Sequence, residues 1–148
     1  MTVHHVLDTG AVYLLHDKHR PPLWGELEKL NEAGGSVFWI PSLVLTEAGQ
    51  AKALQRKKLE RIFELADVAG LDEDVADRAA AALRAATRDR CDQCSNFVRP
   101  SLVDAVVMAF AAWHVSNGDQ AVVYTSDMGD MEKLKDALFA GVTLKSCS

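Results

Sequence analysis

A chain of 148 residues, 49% hydrophobic and 25% charged, has the size and composition of one compact domain, here spanning 1–148. That is enough apolar material to fold without disulfides or a structural metal, and it excludes disordered, collagen-like and coiled-coil classes. With 16 Lys and Arg against 21 Asp and Glu the net charge is −5, so any work on phosphates would need some of the acids to hold divalent cations.

The first ten residues, MTVHHVLDTG, place no Lys or Arg ahead of an apolar stretch, so a secretory leader is not expected. VHHVL (3–7) reads as a strand, and AVYLLHD (11–17) and LWGELEKLNEA (23–33) read as helices, with Pro21–Pro22 at the opening of the second. Gly34–Gly35 breaks the chain before SVFWI (36–40), a strand rich in β-branched and aromatic residues. From Ser42 to about Leu65 the pattern is helical, in one or two pieces, followed by a weak third strand over 66–71. Residues 72–89 form a helix that is acidic at its start and basic at its end, as the helix dipole prefers. RDRCDQCSNF reads as a loop. A very apolar helix over 101–115, a turn SNGD and a strand AVVYTS (121–126) follow. The last helix covers 127–139, ended by Gly141, and VTLKS (142–146) is a fifth short strand. Alternation of short apolar runs with helices is the mark of an α/β domain with a parallel sheet covered on both faces. No apolar run approaches the ~18 residues that span a bilayer, so no membrane association is expected. An odd count of three cysteines points to a reducing, cytoplasmic setting.

Four acids stand in apolar surroundings. Asp8 is the one formally charged residue among the first 16 and follows directly on a strand. Asp104 is the one between Arg99 and Asp119, inside the most apolar helix. Asp127 ends the strand in YTSD, and Glu47 falls on the stripe Leu43, Val44, Glu47, Ala51, Leu54, which at helical spacing is a buried face. Unpaired carboxylates in such places cost several kcal/mol or stay protonated. In an open parallel sheet, ligands sit beyond the C-terminal strand ends, where strand order reverses. Acids following the first and fourth strands converge there if those strands are neighbours. All-oxygen ligands select Mg²⁺ or Mn²⁺ over zinc. Each acid also has a local explanation. Asp8 and Asp127 can cap the helices they precede, and Ser101-x-x-Asp104 fits a capping box. Glu47 has the weakest local explanation, since a first-turn acid normally faces solvent.

With those residues placed, LDTGA (7–11), TEAGQ (46–50), SLVDAVVMAFA (101–111) and YTSDMGDMEKL (124–134) resemble PIN-domain proteins, most of all VapC-type toxins of bacterial toxin–antitoxin pairs. The likeness runs through the chain in order, through helical pattern alone over 52–99. It implies a three-layer α/β/α fold with a five-strand parallel sheet in the order 3-2-1-4-5, which puts the first and fourth strands side by side. It implies a divalent-metal-dependent endoribonuclease, a hydrolase leaving a 5′-phosphate and a 3′-hydroxyl. Asp8, Glu47, Asp104 and Asp127 would be the catalytic metal ligands for Mg²⁺ or Mn²⁺, with Asp130 auxiliary and Thr125 and Ser126 lining the site. Gly10 replaces a frequent serine, a change expected to matter little. The implied partners are an RNA such as tRNA or rRNA, a cognate antitoxin and a second copy in a homodimer. The apolar helices at 23–33 and 42–65 are the candidate surfaces for antitoxin and dimer.

RNA needs positive charge, offered by Lys52, Arg56, Lys57, Lys58 and Arg61 after Glu47 and by Arg84, Arg88, Arg90 and Arg99 before Asp104. Arg56, Arg88 and Arg99 are the substrate-binding candidates. The residues offer two rival chemistries: a histidine pair such as His5 with His114, and a metal or redox role for Cys91 and Cys94, which lack a second pair at zinc spacing. Two rival functions are a phosphoacceptor receiver domain, using Asp72 and Lys145, and a catalytically inactive PIN-like binding protein. The receiver reading wants paired acids after the first strand, which are missing. No GxxxxGK or GxGxxG occurs, which excludes P-loop and Rossmann sites.

Overall fold

A computed structural model describes residues 1–88 and 100–147. Its elements run β1 (Val3–Leu7), α1 (Thr9–Asp17), α2 (Pro22–Ala33), β2 (Ser36–Pro41), α3 (Ser42–Ala51), α4 (Arg56–Phe63), β3 (Asp67–Ala69), α5 (Glu73–Arg88), α6 (Leu102–Ser116), β4 (Gln120–Thr125), α7 (Met128–Leu138) and β5 (Thr143–Ser146). The five strands form one parallel sheet in the order β3-β2-β1-β4-β5, as the family resemblance implies. That order differs from the 2-1-3-4-5 order of receiver-like doubly wound sheets and sets the reversal between β1 and β4.

Alternation along β1 sends His4 and Val6 to one face and His5 and Leu7 to the other. His4 stacks on His114 of α6, whereas His5 packs with Phe38 and Tyr124 on the opposite side. Helices α5, α6 and α7 pack together on the first face, and α1, α2 and α4 group on the second. Sandwiched between layers, β1 and β4 are fully apolar at Val6, Leu7, Ala121, Val123 and Tyr124, all buried. The core includes Leu15, Leu27, Ile40, Val107, Met108, Met131 and Leu134. At about 25 cal/mol per Å² of apolar surface, helix α6 alone, buried from Ala105 to Ala111, supplies a large share of the driving force.

Two boundaries differ from the sequence reading, and the stretch after Ser42 takes the two-piece form. Helix α1 begins at Thr9, not 11, because Asp8 caps it. The helical stretch after Ser42 breaks between Ala51 and Arg56, so the expected stripe stops: Val44 and Ala48 are its buried residues and Ala51 is exposed. Strand β3 is three residues long, and its Asp67 and Val68 are exposed at the sheet edge. Cys91, Cys94, Arg90 and Arg99 lie outside the described residues, as does the side chain of Arg88 at the end of α5. No described helix is long and apolar enough to cross a membrane.

Candidate metal centre

The β1–β4 pairing runs Val3 with Gln120 through Leu7 with Tyr124, so the residues that leave these strands, Asp8 and Asp127, emerge at the same edge. Asp8 is 5% exposed and caps α1, its Oδ1 accepting from Ala11 N–H at 3.0 Å. Asp127 caps α7 in the same way, Oδ1 accepting from Asp130 N–H at 3.4 Å. Between them Thr125, fully buried, accepts from Asp127 N–H at 2.9 Å and hydrogen-bonds the Asp8 carboxylate. One hydroxyl thus fixes two acids from different elements.

Asp104 enters from the facing helix. Ser101 caps α6, accepting from Asp104 N–H at 3.0 Å, and its side chain also hydrogen-bonds the Asp104 carboxylate. Asp104, Asp127 and Asp130 each offer an oxygen, and these oxygens lie within 4.8 Å of one another. The local capping roles foreseen for Asp8 and Asp127 are therefore real, but each engages Oδ1 and does not explain the gathering.

Electrostatics mark the gathering as strained. Burial pushes the Asp104 carboxyl up to about 6 against the hydrogen bond from Ser101, and the charges of Asp127, Asp8 and Asp130 push it further the same way. Asp8 is raised chiefly by burial and also by Asp127, against hydrogen bonds from Thr125, Ala11 and Gly10. Among the described residues, Lys133 stands beside the cluster, its Nζ 3.5 Å from Asp130 Oδ1. Three or four hard oxygen donors with little positive charge among the described residues around them suit an Mg²⁺- or Mn²⁺-sized ion. The donor set fits such a group, and Asp8, Asp104 and Asp127, with Asp130, are the residues that would hold it.

Glu47 stands apart from the three-acid group. It is half-buried on α3 and accepts from Thr9 Oγ1 at 2.5 Å, so its tie to the centre runs through the residue after Asp8. Thr9 was not singled out from the sequence; its place beside Asp8 at the start of α1 was the available signal. Ser126 is exposed and abuts Gly10: a Cβ on Gly10 would lie 2.0 Å from Ser126 Oγ and 2.8 Å from its Cβ. A side chain at Gly10 would therefore require Ser126 to shift where α1 meets the β4–α7 turn. Cys147 is buried nearby, donating its N–H to Thr125 O at 3.1 Å; burial and the Asp8 charge push its thiol up to about 11.

Of the basic candidates, Arg56 is exposed and pairs with Glu60 at 3.2 Å. Lys52 pairs with Asp17 and lies over the Tyr13 ring, and Arg61 lies 4.4 Å over Trp24.

The histidine pair is a different one from that considered. His4, not His5, meets His114, ring centroids 3.6 Å apart. They sit with Asp119 near the N-terminal ends of β1 and β4, opposite the acids. His4 Nδ1 is placed to accept from Trp39 Nε1–H at 3.0 Å, which leaves Nε2–H to donate to Asp119 at 2.9 Å. An imidazole so engaged has no free lone pair for a metal, and none for a proton unless the Trp39 bond breaks. This trio ties the N-terminus to the sheet, with Thr2 N–H donating to Asp119 at 3.3 Å.

No protein-family profile matches the sequence, and no curated protein does. Solved structures do. A chain in the crystal structure of VapBC2 from Rickettsia felis, bound to a DNA fragment from its promoter, superposes with a TM-score of 0.65 at 15% identity, covering 98% of this chain and 99% of that one. VapBC-1 from nontypeable Haemophilus influenzae gives 0.59 at 16% identity over 97% of both chains, and FitAcB from Neisseria gonorrhoeae 0.56 at 19% over 95% of both. The chain shares its fold, end to end, with components of these complexes.

Proposed function

We propose that this protein is a PIN-type, divalent-metal-dependent endoribonuclease, the toxin of a toxin–antitoxin pair acting in the cytoplasm. The observation that carries this reading is the gathering of Asp104 with Asp127 and Asp130 of the α7 start at the β1–β4 reversal, with Asp8 close enough to feel the charge of Asp127 and to raise Asp104. Full-length likeness to components of VapBC and FitAB complexes supports the toxin role and a cognate antitoxin partner.

When bound, an Mg²⁺ or Mn²⁺ ion supplies Lewis-acid activation of water and neutralises charge on the phosphoryl oxygens. The chain's own residues do the rest. Asp8 and Asp104 are the least solvated donors of the set. Thr125 holds Asp8 and Asp127 in register, and Thr9 orients Glu47 towards the same edge. Preorganised in this way, the acids do not have to be gathered at the moment of reaction. Asp127 is exposed and Asp130 half-exposed, which leaves the open side of the cluster to a phosphodiester. The presence of all these acids weighs against the inactive-member alternative.

Incubation of the purified protein with total RNA tests the proposal. Cleavage in Mn²⁺ or Mg²⁺ that EDTA abolishes, and that Asp8→Asn and Asp104→Asn each reduce at least ~100-fold, is the expected result. Cleavage independent of metal, or undiminished in both variants, would remove it.

A further inference from the structure

Three depressions join end to end along α1. The first, of about 240 Å³, begins at Ser126 and Gly10 beside the acids and runs past Tyr13 and Leu14 to Lys18. The second, of about 110 Å³, shares Asp17 and Lys18 with the first and is walled by His19, Lys58 and Arg61. The third, of about 550 Å³, shares His19 and Arg61 with the second and opens onto Arg20, Trp24 and Gly25. The nine residues of α1 rise about 13–14 Å, so the furrow starts at the acidic edge and ends well away from it.

Cations gather along the far part of this furrow. Ser126 and Gly10 at its start neighbour Asp127 and Asp8 in the chain, and Lys18, Lys58, Arg61 and Arg20 line the rest on a protein of net charge −5. Among the described residues, none of these four cations has a carboxylate within ion-pairing distance, unlike Lys52 and Arg56 on the same side. Arg61 Cζ lies 4.4 Å from the centroid of the Trp24 ring, and both residues line the third depression. A guanidinium can stack on a nucleobase, while unpaired Lys ammonium groups bind phosphate. Glu28 and Glu64, which also line the third depression, would repel a phosphate there but can accept from base amino groups.

We propose that this furrow is a single-stranded RNA track: the backbone leaves the acidic centre along α1, a phosphate sits between Lys18, Lys58 and Arg61, and the adjoining base enters the cavity against Arg61 and His19. The track rests on the ribonuclease reading for its choice of RNA and replaces Arg56 by Lys18, Lys58 and Arg61 as the gripping side chains. It holds one flank of the substrate in line, so that the bond to be cut is presented to the acids.

Fluorescence anisotropy of a labelled single-stranded RNA oligonucleotide, titrated in EDTA so that nothing is hydrolysed, tests it. Lys18→Ala/Lys58→Ala is expected to weaken binding about tenfold and to flatten the log K against log salt plot by about 1.4, two phosphate contacts' worth. Both residues are exposed, so the fold is kept. Arg61→Lys, which keeps the charge but loses the flat stacking face, should weaken binding and leave the salt slope unchanged. The control Lys29→Ala/Lys135→Ala removes the same charge at positions that line none of the depressions. The track is overturned if the wild type does not bind, if the Lys18/Lys58 variant binds like the wild type, or if the control weakens binding equally. Because no turnover is involved, RNA binding without metal-dependent cleavage would sink the nuclease reading alone. Cleavage with binding insensitive to these residues would sink the track alone.

Discussion

Removing the charge of Asp104 is expected to make the metal-free protein more stable. Its carboxyl is pushed from 3.8 up to about 6, first by burial and then by the charges of Asp127, Asp8 and Asp130. A folded-state pKa above the unfolded one means that the full stability is present below pH 3.8 and is lost as pH rises through 6. At pH 7.5 the ionised group therefore opposes folding. A shift of about two units corresponds to roughly 3 kcal/mol, which partial exposure to solvent reduces to about 2. Asp104→Asn recovers that amount and gives up roughly 0.5 kcal/mol of favourable charge–dipole interaction in the first turn of α6. The net gain of about 1–2 kcal/mol raises Tm by about 3–6 °C in a domain of this size. Differential scanning calorimetry in EDTA at pH 7.5 reads it directly, and the gain should vanish at pH 4. Adding Mn²⁺ should then raise Tm for the wild type and much less for the variant. A variant that is less stable than the wild type in EDTA would show that Asp104 is locally satisfied, and the electrostatic reasoning would fail.

Two further outcomes follow from the packing. Gly10→Ala should cost about 2–3 kcal/mol in urea unfolding, because the new methyl overlaps the Ser126 side chain. Gly10→Ala/Ser126→Gly should recover most of the loss, and a strictly additive double variant would refute the contact. His114 is held down to about 4 by burial and by the neighbouring His4, partly opposed by Asp119, so the neutral form is the folded one. The stability it contributes is complete above pH 6.5 and is lost as pH falls towards 4. His114→Leu should therefore flatten the urea midpoint against pH over that window by the equivalent of roughly 1 kcal/mol, and an unchanged slope would count against the buried neutral imidazole.

The fold was largely legible because its signals are local. Apolar runs at 3–7 and 121–126, separated by helical patterns, read as buried parallel strands, and all five strands and the apolar helix over 101–115 lie within a few residues of expectation. Periodicity alone does not fix the break at Ala51, since nothing in AKALQRKK stops a helix until Gln55 N–H finds His16 Nε2 at 2.9 Å, a tertiary contact. At the site, Asp8, Asp104 and Asp127 stood out because a charge in an apolar sequence is costly without a partner. The reading of Glu47 on a buried stripe was less sound: the helix turns Val44 and Ala48 inwards and leaves Glu47 half-buried, tied to Thr9. The Gly10–Ser126 contact joins residues more than a hundred positions apart and leaves no trace in local pattern. Stacking of His4, rather than His5, on His114 was fixed by strand alternation, which a one-residue change of phase reverses.

The central claim is that these carboxylates form one cation site. An anomalous difference map from a crystal soaked in Mn²⁺ tests it most directly. A peak about 2.2 Å from carboxylate oxygens of Asp8, Asp104 and Asp127, lost in the Asp104→Asn protein, is the result this account requires. A map with no peak between those side chains, or with its strongest peak at His4, His114 and Asp119, would contradict it.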